Sequence, residues 1–471
     1  LNSAEDDEKV IDEEQEHPHG NGDKTSSESN KHDLKDSEKS NDSEVKRSKD
    51  SKESEESDEL KKSKESKGGE LADSGIYSDV QLREYREIQL EAAEPRTVPL
   101  TEPRQLVEVL NHVFHMLDTN KDNVLSQTEI DMAVIDANLS PDDVQAVSVL
   151  KACFADMKDL HKEGWFAKRN GVTLADLLIF EQILMMDRQQ IEREEQEQLR
   201  EVARLSVRHA TDALRSPKKL FANEEHPEKS INPNAIRQGI VGDCYFLAAL
   251  ASVAASNAPL IKWMVQKLDD HYYQVVFAGR VDAPIVVPKP TPVELALYAK
   301  ASEYGIWPAV IEKAYGLFLV KYGKVKTVIP AAAADAAESV YEAFDLITGQ
   351  TGHWEALPLL SNEKLKALLD SAFKEHRAVA AGTNSSKTGY TQDAKLPAQH
   401  AYSILAWNSR KEELTVRNPW GRVSDQGTAL ENADGVFTIS LNTFRRNFVA
   451  LYYEDWTPDP TIDDSDNLPF S

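Results

Sequence analysis

The segment Arg237–Leu250 reads RQGIVGDCYFLAAL, so a cysteine opens an apolar, alanine-rich stretch that is typical of a buried helix. Gln238 lies six residues before Cys244 in the sequence. The free N–H groups and the helix dipole at a helix N-terminus stabilise a thiolate. The amide of Cys244 and the side-chain NH₂ of Gln238 can also bind the oxyanion that forms when a thiolate attacks a carbonyl. The segment therefore predicts an activated nucleophile, and a buried structural cysteine is the alternative.

A second block supplies a histidine and an asparagine. His400 opens the β-type run HAYSILAW, and a later apolar run leads into RNPWG at residues 417–421. Neighbouring strands can place Asn418 beside the imidazole, and Trp420 can shield that hydrogen bond from water. Such a pair is the expected base and orienting group for a cysteine nucleophile. A structural sheet histidine and an ordinary Asn-Pro turn are the alternative, and His353 is the next candidate for the base.

Taken together, these blocks resemble the active-site blocks of calpain-type cysteine proteases. The matching stretches are QGIVGDCYFLAA, HAYS and RNPWG, and weaker similarities are WPAVIEKAY at 307–315 and GVFTISL at 435–441. The resemblance covers about residues 218–456. Two positions depart from the family pattern: Tyr245 stands where calpains usually carry Trp, and Gln399 stands where Gly is more frequent.

The resemblance implies a reaction and a role for each site residue. Calpains are papain-like, so Cys244 is expected to be the nucleophile and His400 the general base and acid. Asn418 is expected to orient the imidazole, and Gln238 to donate to the oxyanion. The implied activity is that of a calcium-responsive endopeptidase, which hydrolyses peptide bonds in protein substrates through an acyl-enzyme. Two other hypotheses stay open: a catalytically idle, calcium-responsive interaction protein, and a transglutaminase-like acyl transferase.

A calcium-binding loop is predicted upstream, where residues 118–129 read DTNKDNVLSQTE. Its oxygen-bearing positions match the pattern of an EF-hand, whose hard cation requires an oxygen cage. The predicted ligands are Asp118, Asn120, Asp122, the carbonyl of Val124, Ser126 and the bidentate Glu129. Asn123 replaces the usual glycine at the sixth position, and Asn tolerates the left-handed conformation. The sequence predicts one bound calcium ion, and a solvated acidic turn is the alternative.

A second, degenerate hand is expected to complete the pair. Val172 can lie beside Leu125 in a short shared strand. Asp176 then falls at the twelfth loop position and Trp165 at the first, so several ligands are missing and we expect no calcium there. The charged segment 187–215 is predicted to be a helix that links the pair to the protease. A solvated spacer is the favoured role for this helix, and a signalling lever is the alternative.

Composition limits the remaining possibilities. The formal net charge of −26 over 471 residues argues against a nucleic-acid partner. Residues 1–76 contain no aromatic side chain other than histidine and are rich in Ser, Lys, Asp and Glu, which predicts a disordered tail. The two cysteines, Cys153 and Cys244, form no disulfide framework. No apolar stretch approaches the length of a membrane-spanning helix. The oligomeric state is left open.

The predicted fold class is α+β, with a two-lobed papain-like core behind an all-α EF-hand pair. In chain order the predicted parts are a disordered charged tail (1–76), the EF-hand pair (100–186), a linker helix (187–215), a first lobe with the cysteine (218–345), a second lobe with the histidine and asparagine (346–456) and a loose tail (457–471). The resemblance implies a cytoplasmic protein. Because the chain starts at Leu1 rather than Met, a secreted or surface-exposed protein is the alternative.

Overall fold

The structure is a computed structural model, and it describes a defined part of the chain. The described residues are 100, 102–158, 160–161, 170–186, 191, 193–216, 218–322, 339–384, 390–391, 394, 396–421, 432 and 434–455. The predicted tails at 1–76 and 457–471 lie outside these residues and stay predictions.

Helices dominate the first part of the described chain. They are α1 (Pro103–Leu117), α2 (Gln127–Val134), α3 (Pro141–Met157), α4 (Leu174–Met185) and α5 (Glu194–Arg215), with short strands β1 (Val124–Ser126) and β2 (Gly171–Thr173). The strands are antiparallel, and Leu125 is opposite Val172 as the sequence predicts. A Cβ at Gly171 would lie 2.3 Å from the Leu125 carbonyl oxygen, so this close pairing requires glycine.

Helix α5 is not a solvated spacer, and that interpretation is wrong. One face of the helix is buried, and it packs against α3 and against a helix of the protease region. The buried apolar residues on this face are Leu199, Ala203, Val207, Ala210 and Ala213. Their spacing of three or four residues puts them on one stripe, while the charged side chains lie outside it. The helix therefore joins two regions through a packed interface.

The next region combines helices with a small sheet. Its elements are α6 (Cys244–Ser256), α7 (Ala258–Met264), β3 (Val265–Lys267), β4 (Tyr272–Val275), β5 (Ile285–Pro288), α8 (Pro292–Leu297), α9 (Trp307–Lys321) and α10 (Val340–Thr348). The strands form an antiparallel sheet in the order β3-β4-β5. Helix α6 is almost entirely buried, as its run of Phe, Leu, Ala and Val side chains requires.

The last region is built on a six-stranded sheet. Its elements are β6 (Thr351–Ala356), α11 (Asn362–Lys374), β7 (Val379–Thr383), β8 (Ala401–Asn408), β9 (Glu413–Arg417), β10 (Val436–Ser440), α12 (Leu441–Asn447) and β11 (Phe448–Asp455). The strand order is β10-β9-β8-β7-β11-β6, and all neighbours are antiparallel. Together these regions give the mixed helix-and-sheet architecture expected of the catalytic core.

Two hydrophobic cores lie within the described residues. The first runs without interruption from α1–α5 into α6–α10, and the second lies beneath the six-stranded sheet. Helix α6 connects them through two serine hydroxyls. Ser252 Oγ donates to the Val379 carbonyl at 2.7 Å, and Ser403 Oγ donates to the Ala248 carbonyl at 2.8 Å. The helix that begins with the cysteine is thus fixed to strands β7 and β8.

Within the described part of the chain, no single helix is both long and apolar enough to cross a membrane. The bent pair α6 and α7 meets the length and composition criteria together, and most of its side chains lie in the first core.

A buried histidine makes stability sensitive to acid. Burial, and to a lesser degree Lys300 and Arg208, lower the pKa of His209 on α5 to about 3. The unfolded chain therefore binds more protons than the folded chain between about pH 6.5 and 3, so stability is present above this window and is lost as the pH falls. We expect the free energy of unfolding to fall by up to about 1.4 kcal/mol per pH unit for this residue.

Urea unfolding at pH 7, 5.5 and 4.5 measures this loss. His209→Gln should reduce the acid-induced loss relative to the wild type, because glutamine keeps a donor for the Ala296 carbonyl without titrating. The comparison isolates His209 from other groups that titrate in the same range. His226→Gln, at an exposed position, is the control and should leave the slope unchanged. Equal slopes in the wild type and His209→Gln would contradict the prediction.

Candidate active site

Cys244 is the first residue of α6 and lies against the strand that follows His400. Its side chain is half-buried, and its thiol is hydrogen-bonded by the backbone of Ala401 and by the amides of Cys244 and Tyr245. Asp243 occupies the N-cap position but makes no side-chain capping bond. The first-turn amides of α6 are consequently available to the sulfur.

The electrostatics of the thiol differ from the prediction. Helix-terminal amides were expected to lower its pKa, and they do act in that direction. Burial outweighs them and, together with the Asp243 carboxylate, raises the pKa of Cys244 to about 11. The helix-terminal amides therefore do not dominate, and the thiol is neutral near pH 7.

His400, Asn418 and Trp420 come together as the sequence predicts. The Nε2 atom of His400 lies 2.8 Å from Oδ1 of Asn418. The indole ring of Trp420 covers the imidazole, with ring centroids 4.3 Å apart. The same Asn418 oxygen accepts a hydrogen bond from the Trp420 amide at 3.0 Å. Asn418 is thus held in place while it orients the histidine, and Nδ1 is left to face a reacting group.

The imidazole is neutral in this environment. Burial lowers the pKa of His400 to about 4, and the hydrogen bond to Asn418 only partly offsets that effect. Although both residues are described, no hydrogen bond joins the Cys244 thiol to the His400 ring. The structure therefore gives a neutral thiol and a neutral imidazole rather than an ion pair.

A backbone hydrogen bond joins Gln238 to the segment that contains Asn418. The Gln238 amide donates to the Pro419 carbonyl at 2.8 Å, and the fully buried Arg417 donates through Nη2 to the Ile236 carbonyl. The Gln238 side chain is buried, and its Nε2 donates to the Val241 carbonyl at 2.7 Å. An amide nitrogen carries a second hydrogen, which remains to bind an oxyanion.

The structure also explains the departure from the family pattern at Gln399 and decides whether His353 belongs to the site. Gln399 has a φ of 51°, in the left-handed region, which accounts for the preference for glycine before this histidine. His353, the alternative base, lies on the edge strand β6 and pairs with Asp455 at 3.2 Å. Strands β7 and β11 separate it from β8, so His353 is not part of the site.

Sequence reasoning did not single out Glu312, which lies behind the nucleophile. It is fully buried on α9, and its carboxyl group hydrogen-bonds with that of Asp243. The signal in the sequence is an acidic residue within the apolar stretch WPAVIEKAY. A charge-bearing residue among so many buried apolar side chains requires a partner.

The loop between α1 and α2 has the local geometry of the predicted calcium loop. Asp118 Oδ1 and Oδ2 accept the amides of Asp122 and Asn123 at 3.1 and 3.0 Å. Asn123 adopts a φ of 58°, the left-handed conformation expected at the sixth position. Glu129 bridges both ends of the loop: its Oε2 accepts from the Ser126 amide at 2.9 Å, and its Oε1 accepts from Thr119 at 3.3 Å.

The oxygen donors of this loop fit a hard cation in chemistry. Within the described residues, however, no three His, Cys, Asp or Glu side chains are grouped closely enough to hold a metal ion. Glu129 would have to exchange its bonds to Ser126 and Thr119 for a bidentate contact. In the second loop, Asp176 accepts from the His161 amide at 2.6 Å and from Thr173. Trp165, at its predicted first position, lies outside the described residues.

A cysteine at a helix N-terminus, beside a strand with a paired histidine and asparagine, is the arrangement of a cysteine peptidase domain. The family model of the calpain family cysteine protease matches residues 195–439. The chain belongs to the calpain family. The match begins within α5, so this helix falls inside the region of family similarity.

Individual relatives show the extent of the similarity. The chain is 24% identical over 266 residues to the calpain-2 catalytic subunit of Gallus gallus, 26% over 270 residues to that of Bos taurus, and 25% over 283 residues to calpain-8 of Rattus norvegicus. These alignments cover 49%, 49% and 52% of this chain, and 36%, 37% and 38% of the relatives. The chain therefore spans little more than a third of the length of the relatives it matches.

The two cysteines should differ strongly in reactivity. Cys153 has no exposed surface, and burial raises its pKa further than that of Cys244. In the folded protein we expect iodoacetamide to alkylate Cys244 at least roughly tenfold faster than Cys153. The Cys244 rate should rise about tenfold per pH unit between pH 7 and 9, because its pKa lies above this range.

Mass spectrometry of the two cysteine-containing peptides gives both rates in one sample. In concentrated urea the two cysteines should react at similar rates, which controls for differences in peptide detection. Similar rates in the folded protein would show that Cys244 is not accessible as a nucleophile.

Proposed function

We propose that this protein is a cysteine endopeptidase that cleaves protein substrates through an acyl-enzyme. The observation that carries the proposal is the contact between His400 Nε2 and Asn418 Oδ1, which Trp420 covers. His400 directly precedes β8, the strand against which Cys244 lies. An asparagine that accepts from the imidazole fixes the ring with its other nitrogen toward the thiol.

In the proposed reaction, His400 takes the proton of the Cys244 thiol as the sulfur attacks the scissile carbonyl. The Cys244 amide and the second N–H of Gln238 stabilise the oxyanion. When the C–N bond breaks, His400 returns the proton to the leaving amine. His400 then removes a proton from water, the water oxygen attacks the thioester, and the acid product and free thiol are released.

In the resting state the thiol and the imidazole are both neutral. Substrate binding must therefore promote proton transfer from the thiol to the imidazole. Charge separation in a buried site is unfavourable unless new hydrogen bonds compensate for it. A substrate that fills the cleft supplies packing and excludes water, which strengthens the remaining electrostatic contacts. The missing Cys244–His400 hydrogen bond also favours the second candidate, an idle interaction protein, and activity measurements separate the two.

Proteolysis of casein tests the assignment of the residues. Cys244→Ser and His400→Ala should abolish turnover, whereas Asn418→Ala should leave weakened activity, because asparagine orients the ring without exchanging protons. The single effects should be strongly non-additive, as they are for residues that act as a unit. The variant His353→Ala, outside the site, is the matched control and should retain full activity.

The outcomes of this experiment are distinct. A wild type with no hydrolysis of casein or peptide libraries supports the idle candidate. Incorporation of an amine into the acyl product in place of water supports a transglutaminase-like transferase. Full activity of His400→Ala would show that another base is used.

We further propose that residues 118–129 bind one calcium ion as the first hand of an EF-hand pair and that binding affects the protease. The support is the donor chemistry of the loop, the left-handed Asn123 and the pairing of Leu125 with Val172. The second hand contributes the strand partner.

A direct contact provides the route from this loop to the protease region. Helix α2 begins at the loop and ends at Val134, whose carbonyl accepts from Thr291 Oγ1 at 2.6 Å. Thr291 caps α8, and its box partner Glu294 forms a fully buried ion pair with Lys313 on α9 at 2.8 Å. A displacement of α2 on calcium binding would therefore act on α8 without passing through a flexible linker. Coupling requires that calcium bind one arrangement more tightly than the other.

Calorimetric titration should give one calcium ion per chain. Glu129→Gln should weaken calcium binding by roughly tenfold or more, since it removes the bidentate carboxylate. Ser126→Ala should weaken it less, although it also removes the cap of α2 and so lowers stability without calcium. Equal affinities in the wild type and Glu129→Gln would exclude this loop as the site.

The effect on the protease is read from the rate of Cys244 alkylation with and without calcium. Thr291→Val should leave calcium affinity unchanged and reduce the calcium-induced change in this rate. Ser361→Ala, which removes the cap of α11 in the last region, is the control for cap loss. If Thr291→Val keeps the full calcium response, the coupling does not pass through this contact.

A further inference from the structure

Asp243, the residue before Cys244, is an N-cap aspartate whose side chain does not cap its helix. Asp243 stands at the N-cap of α6, where an aspartate ordinarily accepts from an amide of the first turn, yet it makes no such bond. Its side chain is completely buried and is directed to Glu312 on α9. The carboxyl group that could cap the helix is used instead to connect two helices.

Glu312 completes an acid pair in a site without water access. It has no exposed surface, and its Oε2 accepts from the Ala299 amide at 2.5 Å. Two carboxylates have no proton to share, so the contact with Asp243 is a hydrogen bond only when one of them is protonated. Burial and the Asp243 carboxylate raise the pKa of Glu312 well above its usual range. We therefore take Glu312 as the donor and Asp243 as the acceptor of this bond.

We propose that Glu312 is a positioning residue for the nucleophile: as a neutral acid it donates to the Asp243 carboxylate, fixes the first turn of α6 on α9, and keeps a single negative charge behind the Cys244 thiol. The inference rests on the proposed function, because it takes Cys244 as the nucleophile.

The groups around the pair are consistent with this charge state. In addition to burial, the negative charge of Asp243 acts on Cys244 and Tyr245 of α6 and on Tyr315 of α9, and raises the pKa of each. Tyr245 donates to Tyr315 at 3.3 Å, and burial raises the pKa of both phenols, so both are neutral near pH 7. Lys313, next to Glu312 in sequence, forms a buried ion pair with Glu294.

In this arrangement the first-turn amides of α6 bind the sulfur, and the Asp243 carboxylate opposes its ionisation. Because Asp243 does not cap its own helix, the amides of Cys244 and Tyr245 can reach the sulfur. The charge of Asp243 opposes thiolate formation and so favours the neutral resting thiol. A second negative charge, on an ionised Glu312, would separate α6 from α9 by repulsion, and the shared proton prevents it.

Variants of Glu312 separate proton donation from charge. Glu312→Gln keeps the pattern, since its NH₂ donates to Asp243 and its oxygen accepts from Ala299. We expect its Cys244 alkylation rate and its kcat to stay within about twofold of the wild type. Glu312→Ala removes the donor, and kcat should fall on the order of 100-fold with little change in KM, as expected for a misplaced reacting group. Glu454→Gln is the matched control, because Glu454 is also buried and accepts a backbone amide, of Ala378, at 2.8 Å.

A variant of Asp243 tests the charge. Asp243→Asn keeps a hydrogen-bond partner for Glu312 and removes the negative charge, so the thiol pKa should fall. A decrease of about one pH unit would make iodoacetamide react about tenfold faster with Cys244 at pH 7.5. This readout does not depend on peptide hydrolysis, so it stays informative even if the proposed protease activity fails.

Each outcome decides the proposal. If Glu312→Gln loses as much activity as Glu312→Ala, an ionised carboxylate is required at this position and the proposal is overturned. Wild-type behaviour of Glu312→Ala, or unchanged alkylation in Asp243→Asn, also overturns it. Circular dichroism establishes folding, and if Glu312→Ala does not fold, alkylation of the Glu312→Gln and Asp243→Asn variants decides the question.

Discussion

The placement of α6 between the two cores is the constraint on which the site depends. Ser252 and Ser403 each use a hydroxyl to bond a carbonyl across the boundary, one from the helix to β7 and the other from β8 to the helix. Both bonds are buried, where an unpaired hydroxyl would be costly. The N-terminus of α6 is therefore brought to the strand of His400, and any relative shift of the two halves moves the sulfur away from the imidazole.

The interior location of the site determines its resting chemistry. Desolvation favours the uncharged forms of both the thiol and the imidazole, whereas the proposed attack by the sulfur requires a charged pair. Asp243 adds to this tendency, and the amides of the helix terminus oppose it. The balance keeps the thiol neutral near pH 7. Trp420 covers the His400 ring and adds to its burial, which favours the neutral imidazole.

The sequence was informative wherever function depends on residue type and local spacing. His400, Asn418 and Trp420 could be associated from the sequence alone, because adjacent strands and a rigid Asn-Pro-Trp turn leave few arrangements; the left-handed Asn123 follows from its loop position in the same way. The burial of α5 could not be predicted, since its core-facing stripe consists largely of alanines within a strongly charged helix. The raised pKa of Cys244 and the acid pair behind it arise from tertiary burial, which a linear pattern does not specify.

The continuous core of the helical region and the first part of the protease has a consequence for synthesis of the chain. The apolar stripe of α5 is made before α8, the protease helix that covers it. At about 5–20 residues per second, several seconds and up to on the order of ten pass before residues 292–297 follow. During that interval the emerging helices expose leucine and valine side chains to other nascent chains. Any factor that protects this stripe during synthesis would therefore have to act before residues 292–297 are made.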